Sequence, residues 1–180
     1  MSYELHLIRV ATGEDALQAA HRRLDQCAHE DLNPGPAMES KEEEKQRLAA
    51  ALVRFNPALR VAQFDYAALA ASETVDEQEA RRRYRHIELN SDDYSGIQIT
   101  LWDDAAEVIF PYWHSGEQAR NVLQQVWEHL EVLETWGSFI TYDPQSDRIL
   151  RLQTDFDPVL EYLAAGSNST YESAARRAVK

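Results

Sequence analysis

The sequence predicts an α+β domain in which an antiparallel sheet, made of a meander and a hairpin, packs against one long helix, with additional helices N-terminal to them. Three observations carry this. From Tyr84 to Tyr112 the apolar residues alternate with polar ones in three runs separated by turn formers, the pattern of half-buried strands. From Gly116 to Trp136 the apolar residues Ala119, Val122, Leu123, Val126, Leu130 and Leu133 recur at three-and-four spacing, the stripe of an amphipathic helix. SFITYD and RILRLQ then flank Pro144-Gln145-Ser146, which reads as a hairpin.

Taken in order, YELHLIRV (residues 3 to 10) reads as a first strand, with Leu5 and Leu7 separated by His6. Thr12 with Asp15 forms a capping pattern for a helix carrying Leu17, His21, Leu24 and Ala28, and Asn33-Pro34-Gly35-Pro36 ends it. Ser40 and Glu43 signal a second helix running to Asn56-Pro57, with Leu48, Ala51, Leu52 and Phe55 as a narrow apolar stripe. Residues 58 to 72 allow a short strand leading into a helical turn, and Thr74 with Glu77 would cap a short helix through EQEARRR. RHIELN, GIQITLW and AEVIFPY then form the meander. Pro111 ends its third strand or marks an edge, because proline cannot donate to a ladder. Ser115 and Gln118 would cap the long helix, and Gly137 would supply its left-handed stop. Asp157-Pro158 suggests a cap and first-turn proline for a short helix VLEYLAA. One domain over residues 1–166 follows, with a mobile or weakly helical tail over 167–180.

A chain of 180 residues with 44% apolar content suits a single core. Its net charge of −13, from 31 acidic and 18 basic residues, makes nucleic acid and anionic membranes poor partners and a basic protein a better one. Cys27 stands alone, so no intrachain disulfide forms and it reads as a small core residue in a reducing compartment. No leader pattern or long apolar run is visible at the N-terminus, and the expectation is a cytoplasmic protein.

The motifs exclude more chemistry than they suggest. His21 and His29, eight residues apart on one helix, would lie about 12 Å apart by the helical rise, too far to share an ion. The histidine spacing, without HExxH or HxH, predicts no metal site and no cofactor. Serine hydrolysis lacks a nucleophile elbow, and phosphate cradles lack their glycine pattern. Asp92-Asp93 and Asp103-Asp104 read as turn formers, and Arg81-Arg82-Arg83 with Arg85 as partners for Glu73, Asp76, Glu77 and Glu79.

One segment stands out. The 34 residues between Arg85 and Arg120 contain no lysine or arginine, yet carry seven carboxylates together with Tyr94, Trp102, Phe110, Tyr112 and Trp113. Aromatic anchors among charges of one sign suit an interface with a basic protein. The expected partner-binding residues are Asp92, Asp93, Trp102, Asp103, Asp104, Glu107, Tyr112 and His114. An alternative is an enzyme or sensor with a small-molecule pocket near Tyr112, His114 and Tyr142. The stretch FPYWHSGEQA reads first as a strand-to-helix joint, leaving open whether Tyr112 and His114 point into it or toward a partner.

GIQITLWDDAAEVIFPYWHSGEQA followed by a long helix and SFITYDPQSDRIL resembles a group of small, acidic, uncharacterised bacterial proteins sharing "PYWH" and "YDPQ" motifs. These are similar in type to immunity proteins of secreted bacterial toxins. The resemblance spans residues 84 to 152 and brings no catalytic residues. It implies a stoichiometric binding protein that masks a basic toxin domain.

Overall fold

The computed structural model describes residues 2–27 and 38–165. It is an α+β fold whose one sheet has seven strands in the order β2-β3-β4-β5-β1-β6-β7, every neighbouring pair antiparallel. In chain order the elements are β1 (Ser2–Ile8), α1 (Ala16–Cys27), α2 (Glu39–Phe55), β2 (Leu59–Val61), α3 (Tyr66–Glu73) and α4 (Glu77–Arg83). Then come β3 (Ile87–Ser91), β4 (Gln98–Leu101), β5 (Ala105–Pro111), α5 (Gly116–Gly137), β6 (Ile140–Asp143) and β7 (Arg148–Ile149). A sixth helix, α6, covers 156–165. The proline break at 33–36, the side chain of Cys27 and the tail 167–180 lie outside the described residues.

The N-terminal strand β1 lies between β5 and β6, so residues more than a hundred positions apart pair directly: Tyr3 with Phe110, Leu5 with Val108, His6 with Tyr142. Alternation sends Tyr3, Leu5 and Leu7 to one face, where they join Ile99, Leu101, Val108 and Phe110. Over them lie Leu48 and Leu52 of α2, Val122, Val126, Leu130 and Leu133 of α5, and Val159 and Leu163 of α6. The indole of Trp127 donates to the Leu152 carbonyl at 2.9 Å, which ties α5 to the chain entering α6. The opposite face carries a smaller apolar cluster of Ile8, Ala19, Ala20 and Tyr142 beneath α1.

Several terminal signals fall elsewhere than the sequence suggests. Asp15, Asp65 and Asp76 accept from the backbone amide of the third residue of α1, α3 and α4, so the capping position is theirs and not that of Thr12 or Thr74. Thr74 instead sits at a left-handed position closing α3. The start of α2 at Met38 and that of α5 at Ser115 have no side-chain cap hydrogen bond, which corrects the expected Ser40–Glu43 and Ser115–Gln118 boxes. Ser138, not Gly137, takes the left-handed conformation after α5. Gly137 is needed for space, since a Cβ there would meet the Phe139 ring at 2.4 Å. Phe55 is 50% exposed and belongs to no core.

Candidate functional site

The acidic, aromatic segment does not fold into one surface. Asp103 lies in the β4–β5 turn, where it ion-pairs with Lys45 of α2 at 2.9 Å and Arg85 at 2.6 Å. Lys45 is only 2% exposed and also donates to the Arg85 carbonyl and Glu42. Burial raises the Asp103 pKa, but its hydrogen bonds from Arg85 and Lys45 outweigh this and hold it below the ordinary value. Asp104 pairs with Arg9 and Lys41, and Asp92 with Arg60. Asp93 is consumed by its own loop, accepting from the Ser91 hydroxyl and the Ser95 amide. Lysines and arginines absent from the segment are thus supplied by elements distant in sequence.

His114 is buried at 5% exposure, and its Nε2 donates to the Ser95 carbonyl at 3.0 Å. Tyr112 is half-buried against Tyr3, with ring centroids 5.7 Å apart. Both therefore face the joint, and neither is an exposed partner contact. The cavity they share with Phe110, Ala119 and Leu163 is about 10 Å³, too small for more than one water. Tyr142 projects from the opposite face of the sheet, opposite His6, so the expected small-molecule pocket near Tyr112, His114 and Tyr142 is not formed.

The same joint exposes two other aromatics. Tyr94 and Trp113 are 60% and 62% exposed, and their rings lie 6.4 Å and 5.8 Å from that of His114. Gly96 makes the approach of the two loops possible. Its φ is +67°, and a Cβ would meet Pro111 at 3.1 Å and Trp113 at 3.6 Å. The exposed Asp92 precedes Tyr94, and Glu117 sits in the first turn of α5. Asp143 of the YDPQ turn has a structural role, accepting from the Tyr3 hydroxyl at 2.7 Å, the Gln145 amide at 2.9 Å and the Ser146 hydroxyl at 2.6 Å.

On the opposite face of the sheet, pairing aligns Tyr142, His6, Glu107, Thr100 and Glu88 in one row across β6, β1, β5, β4 and β3. Trp102 borders this row, its ring 6.2 Å from that of His86. Glu107 and Trp102, expected on the partner surface, therefore lie away from Asp92 and Asp93. Glu4, His6 and Glu107 bring ligand-type atoms within 4.8 Å of one another, all half-buried. Burial, reinforced by the charge of Glu4, pushes the Glu107 pKa up to about 7, while burial lowers that of His6. A cavity of about 110 Å³ opens beside them, lined by His6, Arg23, Trp102 and Glu107 among others. Histidine spacing along the chain missed this cluster because one ligand comes from β5. The usable signal was Glu4-Leu5-His6, two polar groups on one strand face.

An open groove of about 540 Å³ lies between α2 and α5, lined by Arg47, Arg54, Phe55, Val132 and Trp136. Among the described residues no helix is long and apolar enough to cross a membrane. Compared with known protein families, curated proteins and solved structures, the chain matches none, and the resemblance carried by PYWH and YDPQ rests on those residues alone.

Proposed function

We propose that the protein is a non-enzymatic, cytoplasmic binding protein that engages a basic protein partner through the corner formed by Tyr94 and Trp113. The observation that carries this reading is the exposure of both rings on a backbone held by the buried His114–Ser95 hydrogen bond. A large ring fixed before binding loses little entropy on contact and excludes much water, which is how interface anchors gain affinity. The net charge of −13 supports a basic partner by steering its approach. The resemblance to immunity proteins points to a basic toxin domain as the class of partner. The acidic contribution is narrower than the sequence suggests: Asp103 and Asp104 serve ion pairs within the chain, and the exposed Asp92 and Glu117 flank the two rings in sequence.

Affinity capture from the source cells tests this with three proteins: wild type, the double variant Tyr94→Ser/Trp113→Ser, and Trp136→Ser, which removes an exposed ring elsewhere. Loss of an anchor ring costs about 2 kcal/mol or more, roughly 30-fold in affinity. A basic protein retained by wild type and Trp136→Ser but lost by the double variant is expected. Equal retention by all three would refute the surface.

A further inference from the structure

We propose that Glu4, His6 and Glu107 form a binding site for one divalent transition-metal ion, of the Zn²⁺, Mn²⁺ or Fe²⁺ class, on the α1 face of the sheet. The geometry is set by the fold. Glu4 and His6 are two residues apart on β1, which puts both side chains on one face, and Glu107 is the direct β5 neighbour of His6. The His6 Nδ1 is 3.6 Å from a Glu107 carboxylate oxygen, and all three ligand atoms fall within 4.8 Å of each other. Ligands bonded to one ion at about 2.0–2.2 Å stand about 3.0–3.6 Å apart in tetrahedral or cis geometry, so side-chain rotations that move the atoms together by up to about 1.5 Å close the set. The ligands sit on two central, paired strands, a more rigid support than a loop provides.

Charge supplies an independent argument. Some carboxylates held away from bulk water have cationic partners, as Asp103 has Lys45 and Arg85, and others, such as Asp93 and Asp143, are held by hydroxyl and amide donors. Glu107 has the His6 ring as its ion-pair neighbour and Glu4 accepts from the Ser2 hydroxyl, and both carboxylates are half-buried. Two carboxylates placed side by side away from bulk water are costly without a positive charge between them. Arg23 on α1 lines the adjoining cavity, and its one positive charge leaves the pair of carboxylates in excess. The cavity of about 110 Å³ has room for coordinating waters, each occupying about 30 Å³. One imidazole with two carboxylates favours a borderline transition ion over Mg²⁺ or Ca²⁺, which prefer oxygen ligands throughout.

The test uses the full chain, stripped with a chelator and then titrated separately with Zn²⁺, Mn²⁺, Co²⁺ and Mg²⁺. Melting temperature is followed for each ion, and the visible absorption of Co²⁺ reports its coordination. A one-to-one Co²⁺ spectrum, a rise in melting temperature with Zn²⁺ at micromolar concentration and little response to Mg²⁺ are expected. His6→Asn and Glu107→Gln should each weaken binding at least tenfold, while Glu131→Gln on the exposed side of α5 leaves it unchanged. Glu107→Gln removes a destabilising buried acid, so it should melt no lower than wild type without metal. Its loss of response therefore reports the ligand rather than misfolding. Absence of any response up to millimolar ion, or full Co²⁺ binding by His6→Asn, would overturn the assignment.

Discussion

On the face of the sheet covered by α2 and α5, Tyr3, Leu5, Leu7, Val108 and Phe110 are at most 1% exposed. One residue along the same strands, Glu4, His6, Glu107 and Ile109 point the other way and remain half-buried, with α1 covering only part of their face. The strands are shared, so backbone preference cannot explain the contrast. What differs is the closing layer: two long helices and α6 seal one side, whereas one short helix reaches β1 and β7 on the other. The sealed side is apolar and its few charges are neutralised at its rim. The open side retains polar groups that water, a cation or a ligand can reach.

The largest expected effect follows directly from that difference. Leu5→Ala empties a fully buried position and should cost about 3–4 kcal/mol, combining lost transfer energy with the cavity left behind. Ile109→Ala, on the half-buried face, should cost about 1 kcal/mol. Urea unfolding of the two variants measures both. Equal losses would mean that the second face is closed as tightly as the first.

A second comparison concerns neighbouring aspartates at the rim. Asp103→Asn leaves Lys45, 2% exposed, facing a neutral amide with Glu42 as its remaining carboxylate, and should cost about 3 kcal/mol. Asp104→Asn breaks pairs in which the Asp104 side chain is 61% exposed, and should change stability by less than about 0.5 kcal/mol. Similar values for the two substitutions would show that the Lys45–Asp103–Arg85 group does not hold α2 to the hairpin.

The two faces also differ in how far the sequence reveals them. Strands β3, β4 and β5 and helix α5 are visible in local periodicity, because each buries one regular face. The insertion of β1 between β5 and β6 has no local signature, since it depends on a pairing that joins residues over a hundred positions apart. The same gap explains the misplaced functional residues. Asp103 and Asp104 look like free acids until Lys41 and Lys45 arrive from α2, and Glu107 looks like one more surface carboxylate until β1 brings Glu4 and His6 beside it. Tyr94 and Trp113 were legible as part of an aromatic segment. Which aromatics remain outside is decided by His114 turning inward to Ser95.

A last comparison separates the two faces by pH. Burial and the charge of Glu4 raise the Glu107 pKa from 4.5 to about 7, so folding favours its protonated form. Relative to low pH, stability is therefore lost as pH rises from about 4.5 through about 7, by up to about 3 kcal/mol. On the sealed face, burial lowers the His129 pKa from 6.5 to about 4. Its contribution is present above pH 6.5 and is lost as pH falls through about 4. Between pH 4.5 and 6.5 the two slopes oppose each other, and the wild-type chain should show a shallow profile there with chelator present. Glu107→Gln cannot ionise, so it should be more stable than wild type by about 1–3 kcal/mol at pH 8 and should expose the His129 slope, with stability rising from pH 4 to 6.5. Urea midpoints across pH 4–8 measure this. A variant profile parallel to wild type would place the Glu107 carboxylate in water and remove the electrostatic contrast between the two sides of the sheet.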